Sequence, residues 1–194
     1  DTGLDGDEDT ASGRDSGVRD GDSGGDSGEV TGPTDEVCDG LDNDLDGEID
    51  EEDICDHPVL NHDGHAYLFI DTDMAWSLAR DTCRELGYDM VKLESEAENT
   101  WVHEQVYPAE DDVGLLKAHT WIGLSDPSAT WSWSWTDGEA PDFEFWSGEI
   151  VKDGYGTTHF GQAAAFGDHA YPHWLVSPAN WEYRSVCESD GGAL

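Results

Sequence analysis

An α+β domain carried on an acidic tether is the fold class that the sequence predicts, and three observations predict it. Apolar side chains are scarce from Asp1 to Glu36 and recur with regular periods only from His65 onward. Those periods switch between two, as in a half-buried strand, and 3.6, as in an amphipathic helix. Nine tryptophans, most of them in the C-terminal half, supply enough large apolar surface for a core.

In chain order, residues 1–36 consist mainly of Asp, Gly, Ser and Thr and bury too little surface to offset their chain entropy, which predicts a disordered acidic linker. Like charges extend such a linker to a reach of roughly 30 Å or more. Its Gly-Asp-Ser-Gly units lack the regularly spaced apolar residue that Gly/Asp calcium-repeat coils require. Gly21–Gly25 matches the stretch around the nucleophile of chymotrypsin-like proteases. No histidine lies upstream of it and no folded segment surrounds it, so a protease reading is rejected.

From His65 the stretch HAYLFI reads as a strand. In DMAWSLARDTCRELG, Trp76, Ala79, Cys83 and Leu86 share one helical face, with Asp73 as N-cap and Gly87 as the stop. Ser95 and Glu98 form a capping box ahead of Trp101, Val102 and Val106, and Pro108 marks the end of this second helix. TWIGL predicts a short buried strand. Trp131, Trp133 and Trp135 alternate with polar residues before an Asp137-Gly138 turn, a hairpin signal that places the three rings on a core face. Residues 139–177 read as one long irregular loop, a length uncommon without a function, and NWEYRSVCE as the last strand.

With 46 acidic residues against 8 basic ones, the net charge of -38 repels polyanions, so no nucleic-acid partner is expected. Four cysteines without a CxxC pair predict two disulfides and an oxidising compartment, hence a secreted protein or one on the extracellular cell surface. No apolar run is long enough to span a bilayer, and any signal peptide is expected to have been removed.

The loop between Cys38 and Cys55 carries calcium-loop spacing. Asp42, Asp44 and Asp46 fall at positions one, three and five, Gly47 at the sharp-turn position six, and the Glu48 carbonyl at seven. Asp50 and Asp53 take nine and twelve, with Asp in place of the usual final Glu. A Cys38–Cys55 disulfide would lower the cost of gathering these carboxylates. Residues 37–56 are therefore expected to form a disulfide-closed loop with calcium as its cofactor. No helix precedes the loop, so it is not a complete EF-hand.

Taken together, ARDTCRELGYDMVKLESEAENTWV, TWIGLSD, WSWTDGEAPDFEFW and the closing VCE resemble the C-type lectin-like domain over about Gly64 to Ser189. The resemblance implies that fold over residues 62–189, with two helices, small antiparallel sheets and a long loop region, followed by a short tail at 190–194. It also implies a Cys83–Cys187 disulfide. CDGLDND likewise resembles a metal-binding motif of bacterial secreted proteins.

Departures from the family pattern bear on function. The inner disulfide is missing both its cysteines. Lectins of this family hold a sugar-bridging calcium with oxygens of a Glu-Pro-Asn-like triplet and of Trp-Asn-Asp. Here the triplet reads Glu149-Ile150-Val151, and Trp174 is followed by Leu175 and Val176. The expectation is a non-enzymatic recognition module that binds a glycan or protein ligand through its long-loop face without a bridging cation. Glu149, Tyr171, His173, Asn180 and Trp181 are the candidate ligand residues. Trp146 and Trp174 are expected to support the loop from inside. Two alternatives are a metal-dependent enzyme using His159, Asp168, His169 and His173, and a structural surface protein without a ligand.

Overall fold

The computed structural model describes residues 35–51, 53–107, 119–147, 161–167 and 171–191. Residues 1–34 of the predicted linker, Pro108, Glu149, His159, Asp168 and His169 lie outside these residues; Asp35 and Glu36, assigned to the linker, are described, and Glu36 belongs to the folded acidic loop. Two helices and seven strands form among them: β1 (Val59–His62), β2 (His65–Met74), α1 (Trp76–Glu85), β3 (Asp89–Met90), α2 (Glu96–Val106), β4 (Thr120–Asp126), β5 (Gln162–Phe166), β6 (Trp174–Pro178) and β7 (Tyr183–Ser189).

The strands join in one sheet, ordered β1-β2-β7-β4-β5-β6, with β3 also on β7. Small antiparallel sheets were expected. The sheet is instead continuous and mixed, because β4 runs parallel to β7 through Thr120–Arg184 and Trp121–Ser185 while the other pairs are antiparallel. Pairing of β2 with β7, Leu68 opposite Cys187, brings the two ends of the domain side by side.

Strand periodicity divides the core between the two faces. Leu68, Ile70, Trp121, Ala163 and Ala165 join Trp76, Ala79 and Cys83 of α1 on one face. Tyr67, Phe69, Ile122, Leu124 and Phe166 meet Val102 and Val106 of α2 on the other. Two indole N–H groups lock the α1 side to the sheet: Trp76 Nε1 donates to the Ile122 carbonyl and Trp121 Nε1 to that of Met74, each at 2.9 Å. The Cys83–Cys187 disulfide ties α1 to β7.

Several local predictions need correction. Asp73 does not cap α1; it belongs to β2, the cap position is Ala75, and the Trp76 N–H is satisfied by the Ala179 carbonyl. The capping box of α2 forms on one side as predicted, with Glu98 N–H donating to Ser95 Oγ at 3.1 Å. Its return bond goes to the N–H of Glu94. The 139–177 stretch is not wholly irregular, since it contains β5 and the start of β6. Nor do the three alternating tryptophans share a core face: Trp135 is buried, Trp133 half-buried and Trp131 42% exposed. Buried Asp126 accepts the N–H groups of Ser128, Trp131 and Ser132, curling the segment so that Trp131 points outward at φ +66°.

Candidate functional site

The acidic loop is folded by its own side chains. Asp42 accepts the N–H groups of Asp46 and Gly47 at 3.2 and 3.0 Å, Asp44 that of Asp46 at 3.0 Å, and Asp46 that of Glu48 at 2.9 Å. Gly47 supplies the turn at φ +100°. Two carboxylates beyond the predicted set join the three aspartates. Oxygens of Glu36, Asp42 and Asp44 lie within 4.8 Å of one another, as do those of Asp44, Asp46 and Glu51. Glu36 also accepts the N–H groups of Asn43, Asp44 and Asp50, bracing the loop from outside the twelve-residue count. In a chain this acidic, no sequence signal marks either glutamate.

Asp50 is a correction. It was expected at ligand position nine, yet it is 1% exposed and turned toward the domain. Its oxygens accept the N–H groups of Asp39 and Gly40, at 3.1 and 2.8 Å, and the Tyr88 hydroxyl. Burial holds its carboxyl above the ordinary range, against the pull of these donors. Glu48 and Asp53 are exposed and line a cavity of about 250 Å³ with Glu51, His57 and Asn61; Asp53 is not in the carboxylate groups gathered on Asp44. The Cys38–Cys55 disulfide closes the loop.

The donor set suits a hard divalent cation, which takes six to eight oxygens. Glu51 Oε2 is shielded from solvent without a hydrogen-bond partner, an orphan acceptor at the edge of the cluster. Its own backbone N–H lowers the Glu51 carboxyl, but desolvation and the charges of Glu36, Asp46 and Asp44 raise it further than that. A cation there would relieve this crowding.

The predicted ligand residues fall into two groups at opposite ends of β6. At its start, Tyr171 is 61% exposed and stacks on half-buried His173, with ring centroids 5.7 Å apart, and His173 leans on Phe145 at 5.0 Å. Asn99 of α2 fixes this end: its Nδ2 donates to the Pro172 carbonyl at 2.9 Å and its Oδ1 accepts from Trp174 Nε1 at 2.6 Å. Trp146 bridges to Trp174, their rings edge to face at 5.5 Å. At the far end, Asn180 and Trp181 are exposed in the turn into β7, where Trp181 meets Tyr183 edge to face. The five residues of β6 between them span roughly 13 Å. One compact site uniting all four is therefore not formed.

A Lectin C-type domain model matches residues 72–189, more than half the chain. The chain belongs to the C-type lectin domain family. Human C-type lectin domain family 10 member A is 26% identical over 144 residues, 69% of this chain and 39% of that protein. Ovocleidin-17 of Gallus gallus is 29% identical over 127 residues, 62% of this chain and 86% of that one. The carbohydrate-recognition domain of the mouse scavenger receptor C-type lectin superimposes with a TM-score of 0.58 at 21% identity, covering 70% of this chain and 97% of that one. These relatives are animal proteins, and the acidic loop lies outside residues 72–189, which the domain model matches.

Within the lectin domain, the position after Trp174 does not fit the family's bridging calcium. Leu175 and Val176 offer hydrocarbon side chains, and their backbone pairs with Ala165 and Ala164 of β5. Among the described residues no helix is long and apolar enough to cross a membrane.

Proposed function

We propose that this chain is an extracellular recognition module whose lectin domain binds a glycan or protein ligand at the Tyr171 end of β6, while a divalent cation, calcium by its oxygen donors, occupies the acidic loop. The observation that carries the reading is the hydrocarbon pair Leu175–Val176 after Trp174, beside the exposed Tyr171 ring stacked on half-buried His173, in a segment held by Asn99. Tyr171 offers a ring face and a hydroxyl, His173 a ring nitrogen, and backbone groups the remaining hydrogen bonds. Asn180 and Trp181 form a second contact region; Glu149, the other candidate from the sequence, lies outside the described residues. In the loop, Asp42, Asp44, Asp46 and the Glu48 carbonyl hold the cation with Glu36 and Glu51, and Asp53 closes the far side through water.

A glycan array and a pull-down from extracellular fluid, each with and without EDTA, test the recognition reading at a temperature where the domain is folded. Retained binding in EDTA and loss of binding in Tyr171→Ala are expected. Loss on chelation with the domain still folded would count against it.

A further inference from the structure

The acidic loop is not hung on the lectin domain by its ends; it is bolted to it through its middle. Ile49, between Glu48 and Asp50, is 4% exposed and packs into the α1-side core. Its peptide groups are both taken by one side chain of β1: the Ile49 N–H donates to Asn61 Oδ1 at 2.9 Å, and Asn61 Nδ2 donates to the Ile49 carbonyl at 3.0 Å. Next to it, Asp50 receives the Tyr88 hydroxyl from the segment after α1. The start of the loop is pressed against the same segment. A Cβ on Gly87 would lie 1.7 Å from the Asp39 carbonyl oxygen, and one on Gly40 would lie 2.7 Å from that of Gly87, both residues having positive φ. Ser189 Oγ, at the end of β7, completes the joint with a 2.6 Å bond to the Gly40 carbonyl.

Ile49 and Asp50 therefore sit between the Glu48 carbonyl and Glu51, two groups placed in the cation shell above, and the domain fixes both of them. We infer that Asn61 and Tyr88 are positioning residues for the cation loop, and that through them loop occupancy and lectin-domain folding form one cooperative transition. The inference rests on the reading that the loop takes a divalent cation. By linkage, a domain that pre-shapes the loop raises its affinity, and a bound cation stabilises the domain by the same coupling free energy.

The experiment uses the full chain and calcium alone as probe. Affinity is measured by calorimetric titration at 25 °C, and thermal unfolding is followed by tryptophan fluorescence in calcium and in EDTA. Wild type is expected to bind calcium and to unfold in a single transition several degrees higher in calcium than in EDTA. Asn61→Ala and Tyr88→Phe are expected to bind about tenfold more weakly, equivalent to about 1.4 kcal/mol, with a smaller calcium-dependent rise. Val102→Ala, which thins the core on the α2 side of the sheet, is a control for general destabilisation and should keep wild-type affinity. Calcium binding with no change in the unfolding transition, or wild-type affinity in both positioning variants, would overturn the inference and leave the cation site standing. No calcium binding by wild type would overturn both.

Discussion

Asn99 shows how much of the proposed recognition face depends on a residue with no outward mark of function. In sequence it is a polar residue in an amphipathic helix, which reads as solvent-facing; in the fold it is fully buried and spans from α2 to both Trp174 and Pro172. Asn99→Ala leaves an indole N–H and a carbonyl without partners. It should cost about 2 kcal/mol in a urea titration and loosen the Tyr171–His173 stack, weakening ligand binding more than a surface change would. Glu188 gives a pH dependence. Burial raises its carboxyl to about 7, against the Lys92 N–H that it accepts and His65 Nδ1 at 2.8 Å, with Glu98 adding to the rise. A carboxyl raised in the folded state binds its proton more tightly there than in the unfolded chain. Its stabilising contribution is therefore full below about 4.5 and lost as pH rises through about 7. Wild type should lose stability over that window relative to Glu188→Gln, measured by denaturation at a series of pH values; parallel profiles would refute the assignment.

At the scale of elements, the sequence was legible where local pattern and burial agree. The face of α1, the Ser95 cap, the TWIGL strand and the Gly138 turn all form, because periodicity and capping are local chemistry. β5 was not legible: Gln162–Phe166 is an alanine run with little strand propensity, and it becomes a strand because β4 and β6 flank it. The tryptophan series failed for the opposite reason, since a single buried aspartate overrides a clear period of two. The disulfides belong to this scale as well. Cys83–Cys187 closes a separation of 104 residues, for which the chain-entropy model gives roughly 4 to 5 kcal/mol. The double variant Cys83→Ala/Cys187→Ala should lower the denaturation midpoint accordingly, by about 1.5 kcal/mol more than loss of the Cys38–Cys55 bridge, which closes a separation of 17 residues.

For the whole molecule, the net charge of -38 is the dominant fact. Self-repulsion opposes compaction and is screened within about 10 Å at 0.1 M salt. In EDTA, raising NaCl from about 0.01 M to about 0.5 M should raise the unfolding temperature by several degrees; a flat response would contradict a destabilising role for the net charge. The same charge hid the full carboxylate cluster, the proposed cation shell, from sequence reasoning. Spacing singled out Asp42, Asp44 and Asp46, but among so many carboxylates it could neither add Glu36 and Glu51 nor foresee that Asp50 faces inward.

The number and place of calcium sites test the account most directly, because it puts the cation in the N-terminal loop and denies one to the face behind Trp174. Calorimetric titration of wild type and Asp44→Ala should give one site in the first and none in the second. A site that persists in Asp44→Ala would contradict it.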